Sequence, residues 1–182
     1  MSEAPPVAHP LEGELVRLRA REESDVVRLN PMFDDPDVLA GLRMTFPQPA
    51  EGFLGWIRTS RDDPDSLHMV IETLDGEAIG ACGYNTIDRR ARDAAVGIWV
   101  GKPYPNRGHG SDAMRVLCRF GFRQMNLQRI TLHVYETNPN ARHVYERLGF
   151  VLEGTIRRGQ FVHGRHVDVH IMGLLAEDFG ED

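Results

Sequence analysis

Apolar and polar residues alternate along several short segments of the chain, and this period of two predicts β-strands. Two β-rich runs flank Asp75-Gly76, a strong signal for a two-residue hairpin turn. Two long strands near the C-terminus meet at His163-Gly164. The remaining strand segments are residues 13–20, 93–101 and 129–138.

Other segments space their apolar residues as a helix does, three or four positions apart. They are residues 22–42, in pieces broken near Pro31 and Pro36, and residues 50–62, 111–126 and 140–149. The order of elements predicts a mixed α+β fold, antiparallel at first and with helical crossovers in its second half. No linker divides the chain. We therefore expect a flexible arm over residues 1–12 and a single domain over residues 13–182.

Composition and charge narrow the class of protein. The 182 residues are 41% hydrophobic and 26% charged, and no apolar run approaches the roughly 18 residues of a membrane helix. A net charge of −6 argues against general nucleic-acid binding. Cys82 and Cys118 lie in apolar patterns, which is typical of reduced core thiols in a cytoplasmic protein. Neither cysteine has the Cys/His spacing of a metal site, so we expect no metal.

The stretch "PNRGHG", residues 105–110, lies between a strand and a helix. The first turn of a helix carries unpaired N–H groups, and glycines let an anion approach them. Arg107 adds charge, and Asn106 tolerates the left-handed backbone of such turns. No Lys-Ser or Lys-Thr follows the second glycine, which excludes a P-loop. We predict a phosphate site here, with a tight strand-to-helix turn as the alternative.

Two stretches resemble motifs of the GNAT family of N-acetyltransferases, especially the branch of ribosomal-protein and spermidine acetyltransferases. "PNRGHG" is similar to the phosphate loop of that family, although Pro105 stands where glutamine or arginine is usual. "NPNARHVYERLGF", residues 138–150, is similar to a second motif of the family. The resemblance covers about residues 13–176. It implies a twisted mixed sheet of about seven strands with flanking helices, whose fourth and fifth strands splay apart.

The resemblance also implies that acetyl-CoA lies in the gap between those two strands. Tyr145 would then lie near the sulfur and donate a hydrogen bond or proton to it. The other residues that the resemblance assigns to the cofactor are backbone groups at Ile98 and Val100, the loop residues Asn106, Arg107, Gly108, Gly110 and Ser111, and Asn138.

The implied reaction is direct attack of a primary amine on the acetyl thioester. An amine with a pKa near 10.4 costs about 4.6 kcal/mol to deprotonate at pH 7, so a base would help. Relatives often carry a glutamate before the fourth strand's glycine, where this chain has Ala94 and Ala95. His133 is the candidate base that we name. Glu136, Tyr84 and Asp88 are alternatives, as are a water chain and an amine of low pKa.

The acceptor is a primary amine of a small molecule, a polyamine or a protein N-terminus. The acidic run "RDDPD", residues 61–65, is a candidate for attracting a cation. Two other functions stay open at this point: a CoA-binding module with little catalysis, and a sensor of a phosphate ligand. A homodimer is a further possibility.

Overall fold

The structure is a computed structural model that describes residues 9–102, 104 and 107–180. Strands and helices follow one another in the order that the sequence predicts. The strands are β1 (Val16–Ala20), β2 (Leu67–Thr73), β3 (Ala78–Asp88), β4 (Asp93–Val100), β5 (Arg129–Tyr135), β6 (Val151–Val162) and β7 (Arg165–Leu175). The helices are α1 (Asp25–Phe33), α2 (Pro36–Gly41), α3 (Ala50–Arg61), α4 (His109–Arg123) and α5 (Pro139–Arg147).

The strands form one seven-stranded sheet in the order β1-β2-β3-β4-β5-β7-β6. Neighbouring strands are antiparallel everywhere except between β4 and β5, which run parallel. Parallel strands need a crossover connection, and α4 supplies it here. The α+β class and the seven-stranded mixed sheet predicted from the sequence are confirmed.

Helices cover both faces of the sheet, and each face has its own core. On one face α4 packs Met114 and Leu117 against Ile130 of β5 and Met172 of β7. On the other face α1 and α3 pack their apolar residues against β2, β3 and β4. That second core contains Val26, Leu29, Phe33, Phe53, Ile57, Val70, Ala81 and Trp99. The sheet therefore has a separate hydrophobic core on each face.

Two local predictions differ from the structure. Helix α1 continues through Pro31, and the break comes at Asp34 and Asp35. Pro31 lies near the end of the nine-residue helix, so its missing N–H removes at most one helical hydrogen bond. The Asp35 side chain then caps the next helix by accepting from the Asp37 N–H. The β2–β3 hairpin has a three-residue loop, since the Thr73 N–H donates to the carbonyl of Glu77.

The N-terminal segment is only partly described. Residues 1–8 of the predicted arm lie outside the described residues. Leu11 packs against the main core, and Glu12 forms an isolated bridge with Arg17. Cys82 and Cys118 are free and buried. None of the helices in the described ranges is long and apolar enough to cross a membrane.

Candidate active site

Strands β4 and β5 separate soon after they begin to pair. Their ladder joins residues 93–95 to residues 129–131, and both strands then continue without pairing to each other. The backbone polar groups on this side of β4, from Val96 to Val100, therefore have no strand partner among the described residues. Such an open strand edge can accept an added extended segment. Ile98 and Val100 lie on this stretch, as the sequence analysis requires.

The glycine loop leads directly into α4. Gly108 is the N-cap residue with φ of 81°, a left-handed backbone that glycine adopts without strain. The first helical bond runs from the Asp112 N–H to the Gly108 carbonyl at 2.9 Å. In the part of the chain that the structure describes, the N–H groups of residues 109–111 have no backbone acceptor, so the helix start can bind an anion.

The space in front of this helix start is open. Among the described residues, a Cβ added to Gly110 would contact only Val100 Cγ2, at 3.7 Å. Arg107 is exposed and Ser111 is half-buried, so both side chains can reach a ligand held there. Asn106, which the sequence analysis also assigns to this site, lies outside the described residues. The geometry fits a phosphate group at the start of α4.

Asp112 positions this loop, and the sequence analysis missed it. Its buried carboxylate accepts the backbone N–H groups of Glu14, Leu15 and Val16, at 3.2, 2.7 and 3.0 Å. These bonds attach the beginning of β1 to the first turn of α4. An aspartate directly behind a phosphate loop is a signal that could have identified the residue, but the donors lie almost 100 residues away in the chain.

Helix α5 carries the candidate proton donor. Tyr145 is half-buried, its ring centroid lies 5.8 Å from that of Phe150, and it packs against the core beneath α4. Burial, with a smaller contribution from Cys118, raises the pKa of Tyr145 to about 12. Its hydroxyl makes no hydrogen bond to any described residue. Tyr145 therefore keeps its proton at neutral pH and has a donor available.

Asn138 has a structural function that the sequence analysis did not state. It is the N-cap of α5, and its Oδ1 accepts the N–H of Ala141 at 3.1 Å. The cap sets the start of the helix that carries Tyr145. Its Nδ2 group makes no hydrogen bond within the described residues, so a contact to the cofactor stays a prediction.

A cavity of about 350 Å³ lies on the opposite face of the sheet, between α3, the loop before it and strands β2 to β4. Phe33, Phe53, Trp56 and Trp99 form its aromatic wall, with successive ring centroids 5.1 to 5.7 Å apart. Its lining includes Gly97 of β4, which lies within the splayed part of that strand. The cavity thus adjoins the open strand edge from the side opposite α4.

Three polar side chains line the same cavity: Gln48, His68 and Asn85. The ring of His68 lies 5.2 Å from that of Trp56, and burial lowers the pKa of His68 to about 4. A second cavity of about 420 Å³ shares His68, Trp56 and Asn85 with the first and includes Asp63. Asp63 belongs to the acidic run noted in the sequence.

His133 lies in the splayed half of β5 and is exposed. Burial of part of the ring, and the nearby charge of Arg43, lower its pKa below 6.5, so it is unprotonated at pH 7. It lies beyond the part of β5 that pairs with β4, and it lines neither of the two cavities described above.

Two of the alternative bases, Tyr84 and Asp88, are less suitable. Tyr84 is fully buried, and its hydroxyl donates to the Leu117 carbonyl at 2.8 Å. Burial raises the pKa of Tyr84, so the phenol keeps its proton at neutral pH and cannot act as a base. Asp88 lies at the far end of β3, where its carboxylate accepts the N–H groups of Arg90 and Ala91 in a turn. Both residues have structural functions instead.

Comparison with known proteins decides the family. A family model described as the acetyltransferase (GNAT) domain matches residues 16–151, which is most of the chain. The chain belongs to the GNAT acetyltransferases. It is an N-acetyltransferase that uses acetyl-CoA, and the resemblance seen in the two sequence motifs is confirmed at the level of the family.

Named relatives of this GNAT acetyltransferase include both kinds of enzyme in the expected branch. A putative ribosomal N-acetyltransferase of Bacillus subtilis is 31% identical over 105 residues, 58% of this chain and 57% of that one. The spermidine N(1)-acetyltransferase of Escherichia coli is 27% identical over 166 residues, 90% of this chain and 88% of that one.

A solved structure supports the fold of this GNAT acetyltransferase. The spermidine N-acetyltransferase from Vibrio cholerae, in complex with CoA and spermine, superposes with a TM-score of 0.85. The match covers 90% of this chain and 96% of that one, at 24% identity. Across the described residues, no group of three or more His, Cys, Asp or Glu side chains is arranged to hold a metal ion.

Proposed function

We propose that this GNAT acetyltransferase transfers the acetyl group to a primary amine across the gap between β4 and β5. The observation that carries the proposal is the position of the gap. The anion-binding start of α4 and Tyr145 lie on one face of the sheet, and the aromatic cavity reaches Gly97 of β4 from the other face. Donor and acceptor can therefore meet at the splayed edge of β4.

We assign the donor to the α4 side. The N–H groups of residues 109–111, together with Arg107 and Ser111, would bind the pyrophosphate, and Gly108 and Gly110 would let it approach. Backbone groups at Ile98 and Val100 would pair with the extended arm. Asn106 and Asn138 stay assigned to the same ligand on the strength of the family motifs.

Acetyl-CoA supplies an activated acetyl thioester. As the amine nitrogen bonds to the acetyl carbon, the carbon–sulfur bond breaks, the nitrogen loses a proton and the sulfur gains one. Tyr145, with its pKa of about 12, would donate a hydrogen bond or proton to the sulfur. His133, unprotonated at pH 7, would accept the proton of the amine directly or through water.

The acceptor is assigned to the aromatic cavity, which favours a small-molecule amine. A cavity of about 350 Å³ is at the lower end of the range of roughly 300–1,000 Å³ for small-molecule sites. The alternative acceptor is a protein N-terminus that inserts only its first residue into the cavity. An open cavity beside Gly97 favours catalysis over a CoA-binding module with little activity.

Replacement of Gly110 by valine tests the donor site. We expect acetyl-CoA affinity to fall tenfold or more, because a branched side chain would occupy the approach of the phosphate. Folding should be retained, since the added Cβ has only Val100 Cγ2 in contact. Calorimetric titration with acetyl-CoA measures the affinity, and thiol release with amines then measures transfer.

Gly55→Val is a matched control, because it makes the same change at another helical glycine, where an added Cβ has no atom of the described residues within 4 Å, and it lies in α3, away from the loop. It should bind acetyl-CoA as the unmodified protein does. Unchanged affinity in a folded Gly110→Val protein would reject the donor site. Binding without thiol release for any amine would reject acetyl transfer.

His133→Gln tests the base. We expect a loss of about tenfold in kcat/KM at pH 7, below the usual effect of about 10²–10⁴ for acid–base groups, because water can also reach this exposed position. In the unmodified protein, activity should fall as the pH drops through a value below 6.5, where His133 becomes protonated. That acid limb should disappear in the variant. A pH profile that keeps the limb would exclude His133.

Two further predictions from the sequence are carried as proposals. A homodimer would be consistent with edge strand β6, which exposes Val151, Ile156 and Phe161, because exposed apolar side chains often mark an interface. A cytoplasmic location would be consistent with the two free buried cysteines.

A further inference from the structure

The aromatic cavity has no acidic side chain that could form an ion pair with a cation. Among its described lining residues there is no Asp, Glu, Lys or Arg, and the polar groups are the side chains of Gln48, His68 and Asn85. His68 is neutral at pH 7, because burial and the nearby Arg21 lower its pKa to about 4. An ammonium group entering this space would lose water and find no carboxylate, which is costly.

The carboxylates of the nearby loops are already occupied. Asp34 accepts the Gln48 N–H with one oxygen and the Asn30 amide with the other. Asp35 and Asp37 both contact the Lys102 ammonium at 2.9 Å. These bonds hold the three carboxylates against the protein, and none of them lines the aromatic cavity.

Two cationic side chains lie near the cavity and the gap. The guanidinium of Arg21 lies 4.2 Å from the centre of the Trp56 ring, behind the aromatic wall. Arg43 is close enough to His133 to contribute to the lowering of its pKa. Asp63, in the second cavity, is the one carboxylate among the described lining residues of the two cavities. A polyamine would therefore have a single carboxylate partner among these residues.

The pKa of the acceptor amine then decides how much of it is neutral and able to react at pH 7. At pH 7 about a tenth of an α-amino group with a pKa near 7.7–8.0 is neutral, against about 0.04% of an alkyl amine with a pKa near 10.4. A weakly basic amine can enter an uncharged cavity and react without a strong base. This agrees with the alanines at positions 94 and 95, where the resemblance expects an acid.

We propose that the acceptor is a primary amine of low basicity on a compact apolar body, such as an α-amino group next to an apolar side chain, and not a polyamine. The apolar body would contact Phe53, Trp56 and Trp99, while the amine would reach Gly97 at the splayed edge of β4. This inference rests on the proposed acetyl transfer and adds its substrate class.

Four amines test separately the two properties that we propose, the apolar body and the low basicity of the amine. Leucinamide combines an apolar body with a weakly basic amine. Glycinamide lacks the body, isopentylamine has the body but a strongly basic amine, and spermidine is a polyamine. With saturating acetyl-CoA at pH 7, we expect kcat/KM for leucinamide to exceed that for each of the others by tenfold or more. Spermidine or isopentylamine performing as well as leucinamide would overturn the inference and leave acetyl transfer intact. No thiol release with any of the four would reject both.

A charge substitution tests whether the lack of a carboxylate in the cavity selects the acceptor. Gln48→Glu places a carboxylate in the cavity at almost unchanged size, and should raise the ratio of kcat/KM for spermidine to that for leucinamide tenfold or more. Gln128→Glu makes the same change in net charge at an exposed position that lines neither cavity, and should leave the ratio unchanged. An unaltered ratio in folded Gln48→Glu would show that charge in the cavity does not select the acceptor, and would overturn the inference.

Discussion

Replacing Tyr145 with phenylalanine should lower turnover about 100-fold, while the protein remains folded and still binds acetyl-CoA. The change removes one hydroxyl, which has no hydrogen-bond partner among the described residues, so the packing against Phe150 is retained. The expected loss is at the lower end of the range of about 10²–10⁴ for a group that transfers a proton. It corresponds to about 2.7 kcal/mol of transition-state stabilisation.

The measurement is single-turnover transfer, in which the chemical step limits the rate, together with acetyl-CoA affinity. With a pKa of about 12, Tyr145 stays protonated below that pH, so the unmodified protein should lose no turnover from its ionisation between pH 6 and 10. Tyr84→Phe is the matched control. It removes a buried hydroxyl that donates to a backbone carbonyl, and should cost about 1 kcal/mol of stability with little effect on turnover. Full single-turnover rates in Tyr145→Phe would exclude the assignment.

Replacing Asp112 with asparagine should lower the free energy of unfolding by about 2–4 kcal/mol. The buried carboxylate accepts three backbone N–H groups, and an amide turns one acceptor oxygen into a donor that faces them. Hydrogen bonds to a charged group contribute about 1.5–3 kcal/mol each, and an unsatisfied buried N–H costs about 1–3 kcal/mol. Denaturant titration followed by circular dichroism measures the loss.

Asp88→Asn provides the comparison, because Asp88 accepts two backbone N–H groups in an exposed turn where water can replace them. It should cost less than about 1 kcal/mol, since exposed substitutions have small effects. A loss in Asp112→Asn as small as that in Asp88→Asn would mean that the attachment of β1 to α4 contributes little. We also expect weaker acetyl-CoA binding in Asp112→Asn, because these bonds hold the first turn of α4.

Much of the donor side could be predicted from the sequence because its determinants are local. Gly108 and Gly110 stand within three residues of one another at a strand-to-helix junction, and the structure has a left-handed glycine and a helix start there. Tyr145 lies seven residues after the cap residue Asn138, on one short helix. Signals of this kind need only neighbouring residues.

The acceptor side could not be predicted in the same way. Its wall combines Phe33 of α1, Phe53 and Trp56 of α3 and Trp99 of β4, which the sheet and helices bring together across 66 positions of the chain. Phe53 and Trp56 belong to the helical pattern of residues 50–62. The pattern shows that each of these positions is apolar, but it does not show which cavity the residue borders.

By itself, the sequence determined the family, the order of strands and helices, the glycine loop before α4 and the helix that carries Tyr145. Periodicity, turn residues and short motifs encode these features over a few positions. Only the tertiary structure decided where β4 and β5 part, which carboxylates are already bonded and that the cavity beside Gly97 is uncharged. Those properties depend on which distant groups share a space, because hydrogen bonding, burial and charge act between neighbours in three dimensions.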